Sequence, residues 1–154
     1  MRNKSGFTLT ELMVVIGLIA ILSGIAIPTF MGLIPRMKLN GAARQVFGDL
    51  SSAKMKAASL NRKVAVFFLS DGHRYEICDD INKDGTVSQP EGEDQIKDIQ
   101  TSYDDVVFDL SNTVSNIVFN PIGTTSSSNS IITLKNSTSS KRIEINISGR
   151  IKIN

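Results

Sequence analysis

The sequence predicts an α+β chain: one long N-terminal helix, its first half apolar enough to cross a membrane, packed on a mostly antiparallel β-sheet. Three observations predict it. The stretch from Phe7 to Ile34 holds a single charge, Glu11. From Leu39 to Leu60, apolar residues recur every three or four positions. Beyond Lys63 the period shortens to two, and glycine-bearing turn pairs punctuate the runs.

As a helix, Leu12–Ile34 reaches about 35 Å, against a bilayer hydrocarbon core of about 30 Å. Three readings fit such a segment: a secretory signal, a plain membrane anchor, or a specialised leader followed by an assembly helix. A secretory signal ends its apolar region after about 7–15 residues at a small-x-small site, whereas this run continues through Pro28 to Ile34. A plain anchor gives no reason for Glu11, because a carboxylate in hydrocarbon costs about 2–3 kcal/mol or more and calls for a named partner. Gly17, Ala20, Gly24 and Ala26 are small enough for neighbouring helices to approach closely. After Pro35, the residues Leu39, Ala42, Val46, Leu50, Ala53, Ala57 and Leu60 mark one helical face. One helix is expected from about Phe7 to about Leu60, about 80 Å long. It should be bent or interrupted near the prolines, since Pro28 removes a backbone hydrogen bond.

Val64–Leu69 and Arg74–Cys78 flank Ser70-Asp71-Gly72-His73, a hairpin signal because Asp-Gly tolerates positive φ. Further strands are expected at Gln95–Gln100, Val106–Leu110, Asn116–Asn120, Ile131–Lys135, Arg142–Ile147 and Arg150–Ile153. Ser148-Gly149 joins the last two, and Asn120-Pro121-Ile122-Gly123 reads as a turn. Ile143, Ile145, Ile147, Ile151 and Ile153 alternate with polar residues, so one face should be buried and the other wet. Thr124–Ser130 and Asn136–Ser140 read as polar loops.

Charge is segregated along the chain. Residues 36–63 carry seven basic residues and one acid, residues 71–109 twelve acids and three basic residues, and residues 110–154 five basic residues and one acid. Such blocks either set how subunits meet or form an ordinary salt-screened surface. Cys78 is the single cysteine, so it has no internal disulfide partner, and a buried, inert thiol is expected.

Lys4-Ser5-Gly6-Phe7-Thr8-Leu9-Thr10-Glu11-Leu12 resembles the prepilin motif of type IV pilins and type II secretion pseudopilins. The resemblance implies cleavage between Gly6 and Phe7 by a membrane-embedded prepilin peptidase, which also N-methylates Phe7. It implies that Glu11 pairs with the cationic N-terminus of a neighbouring subunit, and that Pro28 is the family's helix-bending proline. Paired in this way, two buried charges offset each other's desolvation only at good geometry. Loss of the leader removes Arg2 and Lys4 and leaves a mature chain with equal numbers of basic and acidic residues. At the other end, Val118-Phe119-Asn120-Pro121-Ile122-Gly123-Thr124-Thr125, Lys141-Arg142-Ile143 and Ser148-Gly149-Arg150-Ile151 resemble the C-terminal pattern of the GspH/FimT group of minor pilins and pseudopilins. The implied division is a leader at 1–6, a transmembrane assembly helix at 7–35 and a periplasmic domain at 36–154. The implied fold is pilin-like, with the leader on the cytoplasmic side of the inner membrane.

Two constellations add binding chemistry. Residues 80–91 fit the calcium-loop template D-x-[DN]-x-[DN]-G-x5-E. Asp80, Asn82 and Asp84 supply oxygens, Gly85 the sharp turn, Thr86 a backbone carbonyl and Glu91 a bidentate carboxylate. The flanks read as strand or loop rather than paired helices, and Pro90 precedes Glu91, so a solvated acidic hairpin loop stands as the other reading. In the basic tail, Gly149, Arg150 and Lys152 resemble, with lysine in place of the second arginine, the Gly-Arg-x-Arg motif of the DNA-binding FimT branch. Lys141 and Arg142 could join them across the hairpin. Such cations hold phosphate without reading sequence, but lysine lacks the bidentate fork. A charged strand edge that discourages aggregation is the plainer reading.

Catalysis is not indicated. The chain has one histidine and one cysteine, too few for a nucleophile or metal constellation. The expected function is therefore a minor pilin or pseudopilin, a structural subunit of a type II secretion pseudopilus or a type IV pilus that needs no cofactor unless calcium fills the acidic loop. Its expected partners are other pilins, the prepilin peptidase and the inner-membrane assembly machinery. The alternative is a DNA-binding minor pilin acting in DNA uptake through its C-terminal hairpin.

Overall fold

The computed structural model describes residues 7–81, 85–87 and 95–154. The chain divides into two compact units, Met1–Ile34 and Pro35–Asn154. Helix α1, Leu9–Leu60, contributes to both.

Thr8 starts the helix. Its side-chain oxygen accepts the Glu11 N–H at 3.3 Å, and its carbonyl accepts the Leu12 N–H at 3.2 Å. The end is equally defined. Asn61 adopts φ 49°, and the Arg62 N–H reaches back to the Ala57 carbonyl at 3.3 Å, the six-to-one closure of a Schellman motif. The expected interruption near the prolines is absent: α1 runs through Pro28 and Pro35 as a single helix, although each proline deprives the preceding turn of one donor. In the first unit the outward side chains find no cover. Leu12, Ile16, Leu22 and Ile25 are all more than half exposed, and the most apolar 18-residue window has a mean hydropathy of 2.4 with none of it buried.

The second unit holds the core. Leu39, Ala42, Ala43, Val46, Leu50, Ala53 and Ala57 form the buried stripe of α1. The stripe stops one step earlier than the periodicity predicts, since Leu60 is 37% exposed. The stripe packs with two four-stranded sheets rather than one. The first has the order β3-β2-β1-β5, from β1 (Val64–Phe68), β2 (Arg74–Asp79), β3 (Gln95–Asp98) and β5 (Asn116–Phe119). The second has the order β4-β6-β7-β8, from β4 (Val107–Phe108), β6 (Ser130–Lys135), β7 (Ser140–Ile145) and β8 (Ile151–Ile153). Every strand pair is antiparallel. Val64, Val66, Ile117, Phe119, Ile132, Leu134, Ile143 and Ile145 meet the helix in one core. Phe68, Tyr75 and Phe108 stack with ring centroids 5.1–6.1 Å apart. The Tyr75 hydroxyl donates to Asp49 on α1, and burial followed by that carboxylate pushes its pKa far up.

Two sequence expectations shift by a residue or more. Ile147 lies beyond β7 in the connecting turn, 61% exposed, so it leaves the alternating core set. Ser130 and Ser140 belong to strands rather than loops, because each pairs across the ladder, Ser130 with Ile145 and Ser140 with Lys135. Cys78 is fully buried in β2, as its apolar character requires.

The Asp71-Gly72 turn is held by its own carboxylate. Asp71 Oδ1 accepts the N–H groups of His73 and Arg74, each at 3.1 Å, and Arg74 Nε donates to Oδ2 at 2.5 Å. Partial burial opposes ionisation of Asp71, but the His73 N–H and then Arg74 outweigh it and bring the pKa to about 2. At Asp109 the Asn112 amide, the Ser111 hydroxyl and Lys135 have the same result, again about 2. Both folded-state values lie below the ordinary carboxylate value of 3.8. Their stabilisation is therefore complete above that value and is lost as pH falls from there towards 2. Thermal melts should show a Tm that declines over this window, and Asp109→Asn should flatten part of the decline.

Candidate functional site

The sequence singles out three regions, and the structure treats them differently. At the start of α1, Thr8, Leu9, Thr10 and Glu11 form an S/T-x-x-E capping box in which Thr8 is the cap and Glu11 the third helical residue. The residue order already carried that signal, and Thr8 is the functional position the sequence reading passed over. Glu11 is exposed on the isolated chain, as are Phe7 and Pro28. A carboxylate in the first turn is favoured by the unpaired N–H groups and the helix dipole. The capping box explains part of the preference for glutamate here. It does not neutralise the charge once the helix is surrounded by apolar groups. Gly6 lies outside the described residues.

The acidic loop begins at the end of β2. Asp80 is 3% exposed, its N–H donates to the Lys63 carbonyl at 3.0 Å, and its Oδ2 accepts the Gly85 N–H at 3.0 Å. Gly85 takes φ 87°, and its carbonyl accepts from Lys63 Nζ at 2.6 Å. Thr86 is exposed. Asn82, Asp84 and Glu91 lie outside the described residues. Among the described residues, no group of three metal-ligating side chains gathers.

The basic tail does not form one cluster. Along β7, Ile143 and Ile145 face the core, and by strand parity Lys141 belongs to their face while Arg142 and Glu144 belong to the other. Glu144 stands directly across from Lys152 in the β7–β8 ladder, which places an acid among the cations. Arg150 and Lys152 do share a surface: with Glu144, Asn129, Ser130 and Ile131 they line a groove of about 460 Å³. Gly149 has a structural role. It takes φ 71°, its carbonyl accepts from Lys54 Nζ at 2.8 Å, and an added Cβ would lie 1.9 Å from the Gly123 carbonyl oxygen. That glycine is required by the contact of two turns, whatever Arg150 does.

Comparisons with known proteins fit this geometry. The family model described as Type II transport protein GspH matches residues 42–149, the larger part of the chain. The prokaryotic N-terminal methylation motif matches residues 1–27. No curated protein sequence matches the chain. Among solved structures, the type IV minor pilin FimU of Pseudomonas aeruginosa (strain PAO1), crystallised in two forms, shares the fold. One form covers 77% of this chain and 90% of FimU at 18% identity and a TM-score of 0.57. The other covers 75% and 92%, at 18% identity and 0.55.

Proposed function

The chain belongs to the GspH family of type II transport proteins, and we propose that Glu11 draws it into a fibre by pairing with the methylated Phe7 amine of a neighbouring subunit. That the chain is a minor pilin or pseudopilin, a structural subunit bearing the methylation motif, follows from the family it belongs to. The finer reading places the leader in the cytoplasm, the helix in the inner membrane and Pro35–Asn154 in the periplasm. A prepilin peptidase cuts after Gly6, where a side chain would crowd the backbone presented to the protease. The exposed apolar face of residues 9–34 then passes from lipid to the packed helices of a pilus or pseudopilus.

One observation carries this reading: a single acid stands at the head of an otherwise uncharged run that the methylation motif covers. In lipid or in a helix bundle a lone carboxylate is costly, and a new N-terminal ammonium four residues away in sequence supplies an opposite charge on every copy. Contact within one chain does not explain assembly, whereas contact between staggered copies does, since each added subunit then buries one pair. Shearing fibres from cells that express the chain tests this. The processed protein should appear in the fibre fraction with other pilins; its complete retention in the membrane fraction contradicts fibre assembly.

A further inference from the structure

We propose that the loop leaving β2 binds one calcium ion, with the Asp80 carboxylate at its base; this is independent of how the helix assembles. The two oxygens of Asp80 are used unequally. Oδ2 accepts the Gly85 N–H at 3.0 Å, while Oδ1 is buried without a hydrogen-bond partner. The residue is 3% exposed, so water does not stand in for the missing donor. A buried carboxylate oxygen left in this way is unfavourable, and a cation seated against it removes the deficit. The basic residues nearby are engaged elsewhere. Lys56 and Arg62 close on Asp79 at 3.3 and 3.4 Å, and Lys63 Nζ donates to the Gly85 carbonyl. Among the described residues, no ion pair reaches Asp80.

Gly85 is the sixth residue counting from Asp80, and its φ of 87° is one that side-chain-bearing residues rarely adopt. In a twelve-residue calcium loop the sixth position is the glycine that turns the chain, while oxygens come from positions one, three, five, seven and twelve. The hydrogen bond from Gly85 to Asp80 closes the first half of such a loop and leaves the other Asp80 oxygen unused. The sequence offers Asn82, Asp84 and Glu91 at the third, fifth and twelfth places. These enter by their spacing alone, because they lie outside the described residues. All are hard oxygen donors, and no histidine or cysteine occurs between 80 and 91. That composition selects calcium or magnesium over softer metals. The bidentate acid at the twelfth place and the high ligand number favour the larger ion.

The test uses the full processed chain in detergent micelles, first stripped with a chelator. Calcium chloride is titrated calorimetrically, and melts are recorded with and without 10 mM of the ion (about 10–100 times the dissociation constant of an extracellular-type site). One ion per chain should bind with a dissociation constant of about 10⁻⁴–10⁻³ M, and Tm should rise by about 5 °C. Magnesium at the same concentration should leave Tm nearly unchanged. Asp80→Asn should abolish the heat and the shift. Since Asp80 is buried and its exchange could unfold the domain, Asp84→Ala is the second variant: it should melt like the stripped wild type and ignore calcium. Absence of heat and shift in the wild type overturns the proposal, as does an undiminished response in Asp84→Ala.

Discussion

Gly149→Ala is expected to destabilise the domain by about 4 kcal/mol or more, the range reserved for a few mechanisms such as forced backbone strain. Two penalties coincide at this position. The backbone sits at φ 71°, which costs an L-residue about 1–2 kcal/mol. The new methyl would also stand 1.9 Å from the Gly123 carbonyl oxygen, a backbone atom that no rotamer change can move aside. Relief requires the turns at 120–124 and 146–149 to separate. That would pull on the Thr125 N–H···O=C Ile147 bond of 3.0 Å and the Lys54–Gly149 bond of 2.8 Å. Gly123→Ala provides the comparison. Its φ of 83° is equally strained, but its methyl would meet Lys54 Cε at 3.2 Å, the flexible stem of a lysine. Melting curves should therefore show a drop of about 10 °C or more for Gly149→Ala and a clearly smaller one for Gly123→Ala. Equal small effects in both would mean that the two turns do not touch in solution.

Replacing Glu11 is expected to have the largest effect on function. Two roles meet at this residue, and glutamine separates them. Glutamine serves as the third-position partner of a threonine cap nearly as well as glutamate, but it carries no charge for a neighbouring ammonium. If pairing between subunits drives assembly, Glu11→Gln and Glu11→Leu should both lower the protein recovered in sheared fibres by about tenfold or more. Breaking one side of a buried pair leaves the other charge uncompensated. Membrane levels of both variants should stay near wild type, because the apolar run itself is intact. If the residue only starts the helix, Glu11→Gln should assemble normally and Glu11→Leu should not lose more than the cap is worth. An Asp in place of Glu11 retains the charge on a shorter arm and should recover assembly in part.

Most of the fold was legible because its signals are local. The Leu39–Ala57 stripe follows from three- and four-residue spacing, and six of the seven buried stripe positions are residues that the spacing names. Asp71-Gly72 and Ser148-Gly149 announced their turns. What escaped were properties decided by distant residues. Alternation tells which face of a strand is apolar but not which strands pair, so the division into two sheets could not be read from it. It also ran on to Ile147, because a turn that borrows the last apolar residue of a strand looks the same in sequence. Lys141 is next to Arg142 in the chain and on the opposite face of β7, which breaks the apparent basic cluster. The need for glycine at 149 comes from Gly123, twenty-six residues away, and nothing local reports it. At the helix start the reverse holds: the Thr8 capping box was fully written in the sequence, hidden behind a more conspicuous acid.

The reading of Glu11 requires that Phe7 be the true first residue, for only then does each copy carry an ammonium four positions from its carboxylate. The most direct measurement is the intact mass of the protein extracted from membranes, with fragmentation of its N-terminal peptide. The expected result is a chain that begins at Phe7 and carries one methyl group on its amine. A chain that still begins at Met1, or begins well downstream of Phe7, contradicts it.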